Sequence, residues 1–235
     1  MVSPGDPPPP GAAPTSDRPV RLSLSEINAL CFKAARGAGL DWGEAEEAGW
    51  AAAWLSRAGL PGPSITLALL TEAPDLARPR PAPQHWKATP GAQCPLRCGI
   101  ALADFAGLPE GPGAGTLHIG RVATPLMLLP FAARAAGRLG TGLHVTWDQH
   151  GALVHAANVA PQLDPVRQEG AQPADVAITA VQATTPGGTV QGAPPPIPAI
   201  SLDDWRALDA LALHITVPAS VQSRAGAGAA GTDND

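Results

Sequence analysis

The stretch SLSEINALCFKAARGAGLDWGEAEEAGWAAAWLSRAG, residues 23–59, decides the fold of the first third of the chain, because it carries two helix starts and two helix stops in close succession. Ser23-x-x-Glu26 has the form of a capping box, in which the Ser oxygen accepts the backbone N–H three residues on and the Glu carboxylate reaches back. Leu24, Ile27, Leu30, Cys31, Ala34 and Ala38 then recur at helical spacing, and Gly37 and Gly39 end the run. Asp41-x-x-Glu44 repeats the starting signal, so a second capping box is expected there. Glu44, Glu46 and Glu47 fall in the first turns of this second helix, where the macrodipole favours anions. Ala45, Ala48, Ala52 and Leu55 make one face. Trp50 and Trp54 stand four apart on a neighbouring face. Arg57 and Gly59 supply C-terminal signals. The short link between the two runs predicts an αα-hairpin over residues 24–58.

Working outward, Ser64 is placed to cap a short helix from Ile65 to Leu70, and the Pro-rich residues 71–93 read as a long surface excursion. Cys94-Pro95 opens a helix over Leu96–Phe105. Thr116–Val122 reads as a strand. Thr124-Pro125 starts a helix over Leu126–Leu139, with Pro130 expected to kink it. Leu143–Trp147 and Ala152–His155 form two arms of a hairpin, and Asp175–Thr184 alternates as a further strand. Ser201-x-x-Asp204 caps a last helix with Leu202, Trp205, Leu208, Leu211 and Ala212 on one side, and His214–Val217 is expected to add a strand. Helices first and strands later give an α+β (or α/β) class: an N-terminal helical hairpin packed on a mixed sheet with two or three further helices. Residues 1–19 are expected to be a disordered Pro-rich arm. Residues 20–235 are expected to form one domain that includes the 71–93 excursion and a Gly-rich tail at 219–235.

The composition narrows the function classes. The chain has 235 residues, 28 Pro, 26 Gly, six Trp, no Tyr, and a net charge of −5. With no basic stripe, a nucleic-acid partner is disfavoured. No polybasic amphipathic helix points to a membrane surface, and the longest apolar run, Val122–Ala133, is interrupted by prolines and too short to span a bilayer. The first twenty residues lack a basic n-region and an apolar h-region, so a cytoplasmic location with reduced thiols is expected for the three Cys. Cys94-Pro-Leu-Arg-Cys98 offers two thiols to a metal where a closed zinc site needs four ligands, so no metal is expected. The six His form no H-x-x-x-H pattern, although His144 and His155 fall on opposite arms of the hairpin. No nucleophile elbow, phosphate loop or dinucleotide fingerprint is present. Neither a catalytic set nor a cofactor emerges from the sequence.

Leu22-Ser-Leu-Ser-Glu26, Lys33-Ala-Ala-Arg-Gly-Ala-Gly-Leu-Asp-Trp-Gly43, Ala45-Glu-Glu-Ala48 and Trp54-Leu55 resemble the opening of a proteobacterial family known as domain of unknown function 3726. The resemblance continues through Cys94-Pro-Leu96, Gly99–Asp104, Thr124–Phe131 and Val217-Pro-Ala-Ser220, and ends with Ser223-Arg224 and the Asp-Asn-Asp tail. Val221 and Gln222 stand where that family leads one to expect an acidic residue. The hairpin Ala34–Gly59 is also similar to the first helices of malate/L-lactate dehydrogenase-type NAD(P) oxidoreductases. Here Gly59–Ser64 carries no His at the position of that family's catalytic His.

Arg36, Trp42 and Glu46 at the hairpin, with Ser220, Ser223, Arg224, Asp233 and Asp235 in the tail, are the polar groups in recognisable patterns. Together they suggest a small-molecule-binding protein or enzyme of bacterial metabolism, its pocket between the hairpin and the strand-rich half with the tail folded over it. The alternative is a homodimeric or accessory interaction protein that docks through the Trp50/Trp54 face.

Overall fold

The computed structural model describes residues 19–72, 76–87, 89–156, 162–163, 172–181 and 195–215. Its elements are α1 (Leu24–Gly37), α2 (Trp42–Arg57), α3 (Gly62–Glu72), α4 (Pro95–Asp104), β1 (Leu117–Val122), α5 (Leu129–Leu139), β2 (Gly142–Trp147), β3 (His150–Val154), β4 (Gln162–Leu163), β5 (Ala174–Val181) and α6 (Leu202–Leu213). The class is α+β. The sheet order is β1-β5-β2-β3-β4, and every ladder is antiparallel. Because β5 lies between β1 and β2 and opposes both, β1 and β2 run the same way and α5 links them as a split β-α-β unit.

The α1/α2 hairpin forms as its caps predict. Ser23 Oγ accepts from Glu26 N–H, and the Glu26 carboxylate accepts from Ser23 N–H at 2.8 Å. That Ser23 N–H bond, with a second to the same oxygen from the Ser23 hydroxyl at 2.7 Å, holds the Glu26 carboxyl below its ordinary pKa. At α2 only half of the expected box is made. Asp41 Oδ1 accepts from Glu44 N–H at 2.7 Å, but the Glu44 carboxylate turns to Arg97 instead of reaching back. Ser64 likewise donates to Asp204 of α6 rather than capping α3.

α5 is the central helix. Leu129, Pro130, Phe131, Ala132, Ala133, Ala135 and Ala136 are all buried, because the helix is covered by the sheet on one side and by α4 and α2 on the other. A single turn of 3-10 helix, Pro125–Leu128, precedes it, so Pro130 sits in the first turn, where its missing N–H costs nothing, and the expected kink does not arise. Gly140, with φ +66°, closes the helix in the left-handed conformation.

The 71–93 stretch is no free excursion. Trp86 N–H donates to His118 O at 2.9 Å, His118 N–H to Gln84 O at 2.7 Å and Gln93 N–H to Arg121 O at 2.9 Å, so this segment pairs with the outer edge of β1. Trp86 and Gln93 are buried there, and the Gln93 amide donates to Ile119 O beside a bulge at Gly120. An unpaired strand edge and its backbone groups are the reason such a segment docks. Its prolines only forbid regular strand hydrogen bonding along its length. His214 and Ile215, expected to begin a strand, lie in the turn that ends α6. The arm at 1–18 and the tail from 216 lie outside the described residues.

Where α4 crosses α5, a Cβ built on Gly99 would lie 2.2 Å from the Phe131 ring, and Phe131 is fully buried. Gly99→Ala should therefore lower stability by about 1–3 kcal/mol in urea denaturation. Gly107→Ala, where an added Cβ meets nothing within 4 Å, should stay within about 0.5 kcal/mol of the parent.

Candidate functional site

The N-terminal half of α2 faces α4. Asp41 caps α2 and so fixes the helical phase that sets Glu44 and Glu47 three apart on one face. On α4, Arg97, Ile100, Ala101 and Asp104 share a face by the same periodicity. The faces are joined by a two-pronged ion pair: Arg97 Nε donates to Glu44 Oε1 at 2.6 Å and Nη2 to Oε2 at 3.1 Å. Both side chains are largely buried, and the Glu44 bonds hold the Arg97 guanidinium still more firmly protonated than usual. Beside this pair, Arg134 of α5 donates to Glu47 Oε1 at 2.8 Å while its guanidinium lies 3.8 Å over the Trp50 ring. Glu47 Oε2 is closed off from solvent and has no hydrogen-bond partner among the described residues.

Between the two helices opens a cleft of about 570 Å³, within the size range of small-ligand pockets. Its floor is apolar: Ile100, Ala101 and Phe105, with Pro79 from the docked 77–93 segment. Glu44, Glu46, Glu47, Arg78, Arg97 and Asp104 supply its charged lining. A second depression, by His85, His118, Asp148 and Asp175 on the sheet, has about half that volume, 280 Å³.

Of the residues singled out from the sequence, Glu46 lines the cleft. Trp42 is exposed and joins its rim indirectly, its indole N–H donating to Glu46 Oε1 at 2.9 Å. Arg36 points elsewhere: its guanidinium donates to Leu40 O at 2.5 Å and lies 5.6 Å from the Trp42 ring, so it closes the α1/α2 corner. The cleft is walled by α4, not by the sheet as the sequence suggested. Ser220, Ser223, Arg224, Asp233 and Asp235 lie outside the described residues.

Sequence reasoning missed Arg97, Arg78, Asp104 and Phe105. The spacing of 97, 100, 101 and 104 marks one helical face, but nothing local says that it meets a helix some fifty residues earlier. The Trp50/Trp54 face is partly used within the chain, and with Leu24, Ala53 and Arg57 the two rings also line a shallow depression of about 170 Å³. Trp54 is buried, and Trp50 makes an edge contact with Phe131 at 5.4 Å beneath Arg134. His144 and His155 do not face each other, because the register pairs His144 with Leu153. The stacked imidazoles are His85 and His118, 4.4 Å apart. Among the described residues no group of three or more His, Cys, Asp or Glu is placed to hold a metal ion, and no helix is long and apolar enough to cross a membrane.

Residues 22–113 match the model of the family described as protein of unknown function (DUF3726). The matched segment runs from the start of α1 past α4 and so contains both walls of the cleft. The later motifs of the resemblance, from Thr124 onward, lie beyond it. No curated protein and no solved structure matches the chain.

Cys31, Cys94 and Cys98 are free and buried. Burial pushes the Cys31 thiol up to about 12, partly opposed by Thr66, and raises those of Cys94 and Cys98. The native state therefore prefers protonated thiols. Their contribution to stability is complete below the unfolded thiol range and is lost as pH rises from about 9 toward 12. Native protein at pH 8 should resist iodoacetamide, and all three thiols should react in denaturant, with intact mass as the readout.

Proposed function

We propose that the protein binds a small organic molecule in the cleft between α2 and α4. The observation that carries this reading is the combination, in one cavity of about 570 Å³, of an apolar floor with charged side chains converging from two helices. The rigidity of the walls supports it. The Glu44–Arg97 and Glu47–Arg134 pairs fix both helices before any ligand arrives, so little ordering is left to oppose binding. The match over residues 22–113, which covers both walls, is consistent with the cleft being a shared feature of the family. The reading extends to a binder and leaves any reaction open. The docking role through Trp50 and Trp54 has less support, since Trp54 is buried, Trp50 packs on Phe131, and the depression they line is about 170 Å³.

Ala101 lies on the cleft floor and is only half-buried, so a larger side chain there fills the cavity without entering the core. A thermal-shift screen of amino acids, hydroxy acids, polyamines and nucleotides on the full chain should find at least one stabilising class, by about 2.7 kcal/mol at a hundredfold excess over Kd. Ala101→Trp should keep its own Tm within a few degrees and lose that shift. A shift that persists in Ala101→Trp, or none with any class, refutes the cleft as the binding site.

A further inference from the structure

The cleft's charges are not equivalent, and their pairing narrows the ligand class. Glu44 is occupied by Arg97, and Glu47 Oε1 by Arg134. Asp104 has only a loose, solvent-exposed pairing with Arg138 at 3.8 Å, and Arg138 donates its hydrogen bond to Ala103 O. Among the described residues, the lining carboxylate with no cationic partner is Glu46, exposed, its Oε1 accepting from the Trp42 indole N–H. The charge of Glu47 is already met by Arg134, although its Oε2 is without a hydrogen-bond partner among the described residues. On the wall formed by the docked segment stands Arg78, which has no carboxylate partner among the described residues. The four carboxylates of the lining are thus matched in number by Arg78, Arg97, Arg134 and Arg138, so the site as a whole has no net charge to offer. A purely anionic or purely cationic ligand would satisfy one uncommitted group and leave the other opposite a like charge or nothing.

We infer that the ligand is an amino acid or a close zwitterionic relative, its ammonium at Glu46, its carboxylate at Arg78 and its side chain on Ile100, Ala101 and Phe105. This rests on the cleft reading and specifies it. The ammonium donates to a carboxylate whose remaining lone pairs are open. The guanidinium presents parallel N–H groups to a planar carboxylate. The apolar floor has no hydrogen-bonding side chain, so it favours aliphatic or aromatic side chains over polar ones.

The test uses the full chain and isothermal titration with leucine and its two truncated isosteres: 3-methylbutylamine, which lacks the carboxylate, and 4-methylpentanoate, which lacks the amine. Phenylalanine, methionine and valine serve as further side-chain probes. Glu46→Gln keeps an oxygen for the Trp42 indole and removes only charge. Arg78→Gln lies on the surface, so both variants should fold. The expected result is saturable binding of at least one of the four amino acids, each of its truncated forms at least about tenfold weaker. Glu46→Gln should weaken the amino acid and the amine but leave the acid unchanged. Arg78→Gln should weaken the amino acid and the acid but leave the amine unchanged. Binding that both variants leave intact, or an acid or amine that binds as well as the parent amino acid, overturns the inference. Failure of all four amino acids, alongside a nucleotide or hydroxy acid whose binding Ala101→Trp abolishes, overturns it while the cleft reading stands. If Ala101→Trp affects no probe of any class, both fall.

Discussion

The two-pronged contact between Arg97 and Glu44 sets the spacing on which the candidate site depends. Two helices distant in sequence could pack through alanines and glycines at several rotations about their axes. A planar guanidinium bonded at both prongs admits few of them. Because both groups are largely removed from water, the pair contributes more to orientation than to net stability. Removing one partner would leave the other charge uncompensated in a poorly solvated site. The second pair, Arg134 with Glu47, ties the same face of α2 to α5, and the Trp50 ring under the guanidinium keeps that arginine from swinging out. The cleft is therefore the gap that two ion pairs hold open, and its walls are defined without a ligand.

These contacts rest on a core in which alanines are packed among leucines and isoleucines. The tight helix crossings use glycine and alanine: Gly99 against Phe131, Gly49 against Asn28 of α1, and Gly62 against Ala52 of α2. Such crossings bring backbones close and bury many short side chains, a way for an alanine-rich chain without Tyr to reach interior packing density. Met127, Leu128, Leu129 and Phe131 bring larger side chains to the centre, on and just before α5, and Ile27, Leu55, Leu69, Leu96, Leu102 and Ile119 supply them from the surrounding elements.

Local signals were legible in the sequence where local chemistry decides the outcome. Ser23 and Glu26, Asp41, Ser201 and the alternation that begins at Asp175 all produced elements where their patterns require them, and the strands read at Thr116–Val122 and Leu143–Trp147 formed as β1 and β2. Three departures came where a distant group displaced a local one. Glu44 left the capping box for Arg97, Ser64 left its own helix for Asp204, and the proline-rich stretch 77–93 found the bare edge of β1. The site shows the same division. Glu46 and Trp42 are visible in the hairpin motif, because a helix start has a recognisable spelling. Arg97, Asp104 and Phe105 are ordinary residues of an unremarked helix until α4 is laid against α2.

The exposed indole of Trp42 gives the molecule an optical property. Trp54, Trp86 and Trp147 are buried and Trp50 is covered by an arginine, whereas Trp42 is 61% exposed and hydrogen-bonded to a carboxylate of the cleft. Its emission belongs at the red edge of the spectrum, where an aqueous quencher reaches it first. Because that indole is bonded to Glu46 Oε1, the chain carries a native fluorophore beside its cavity.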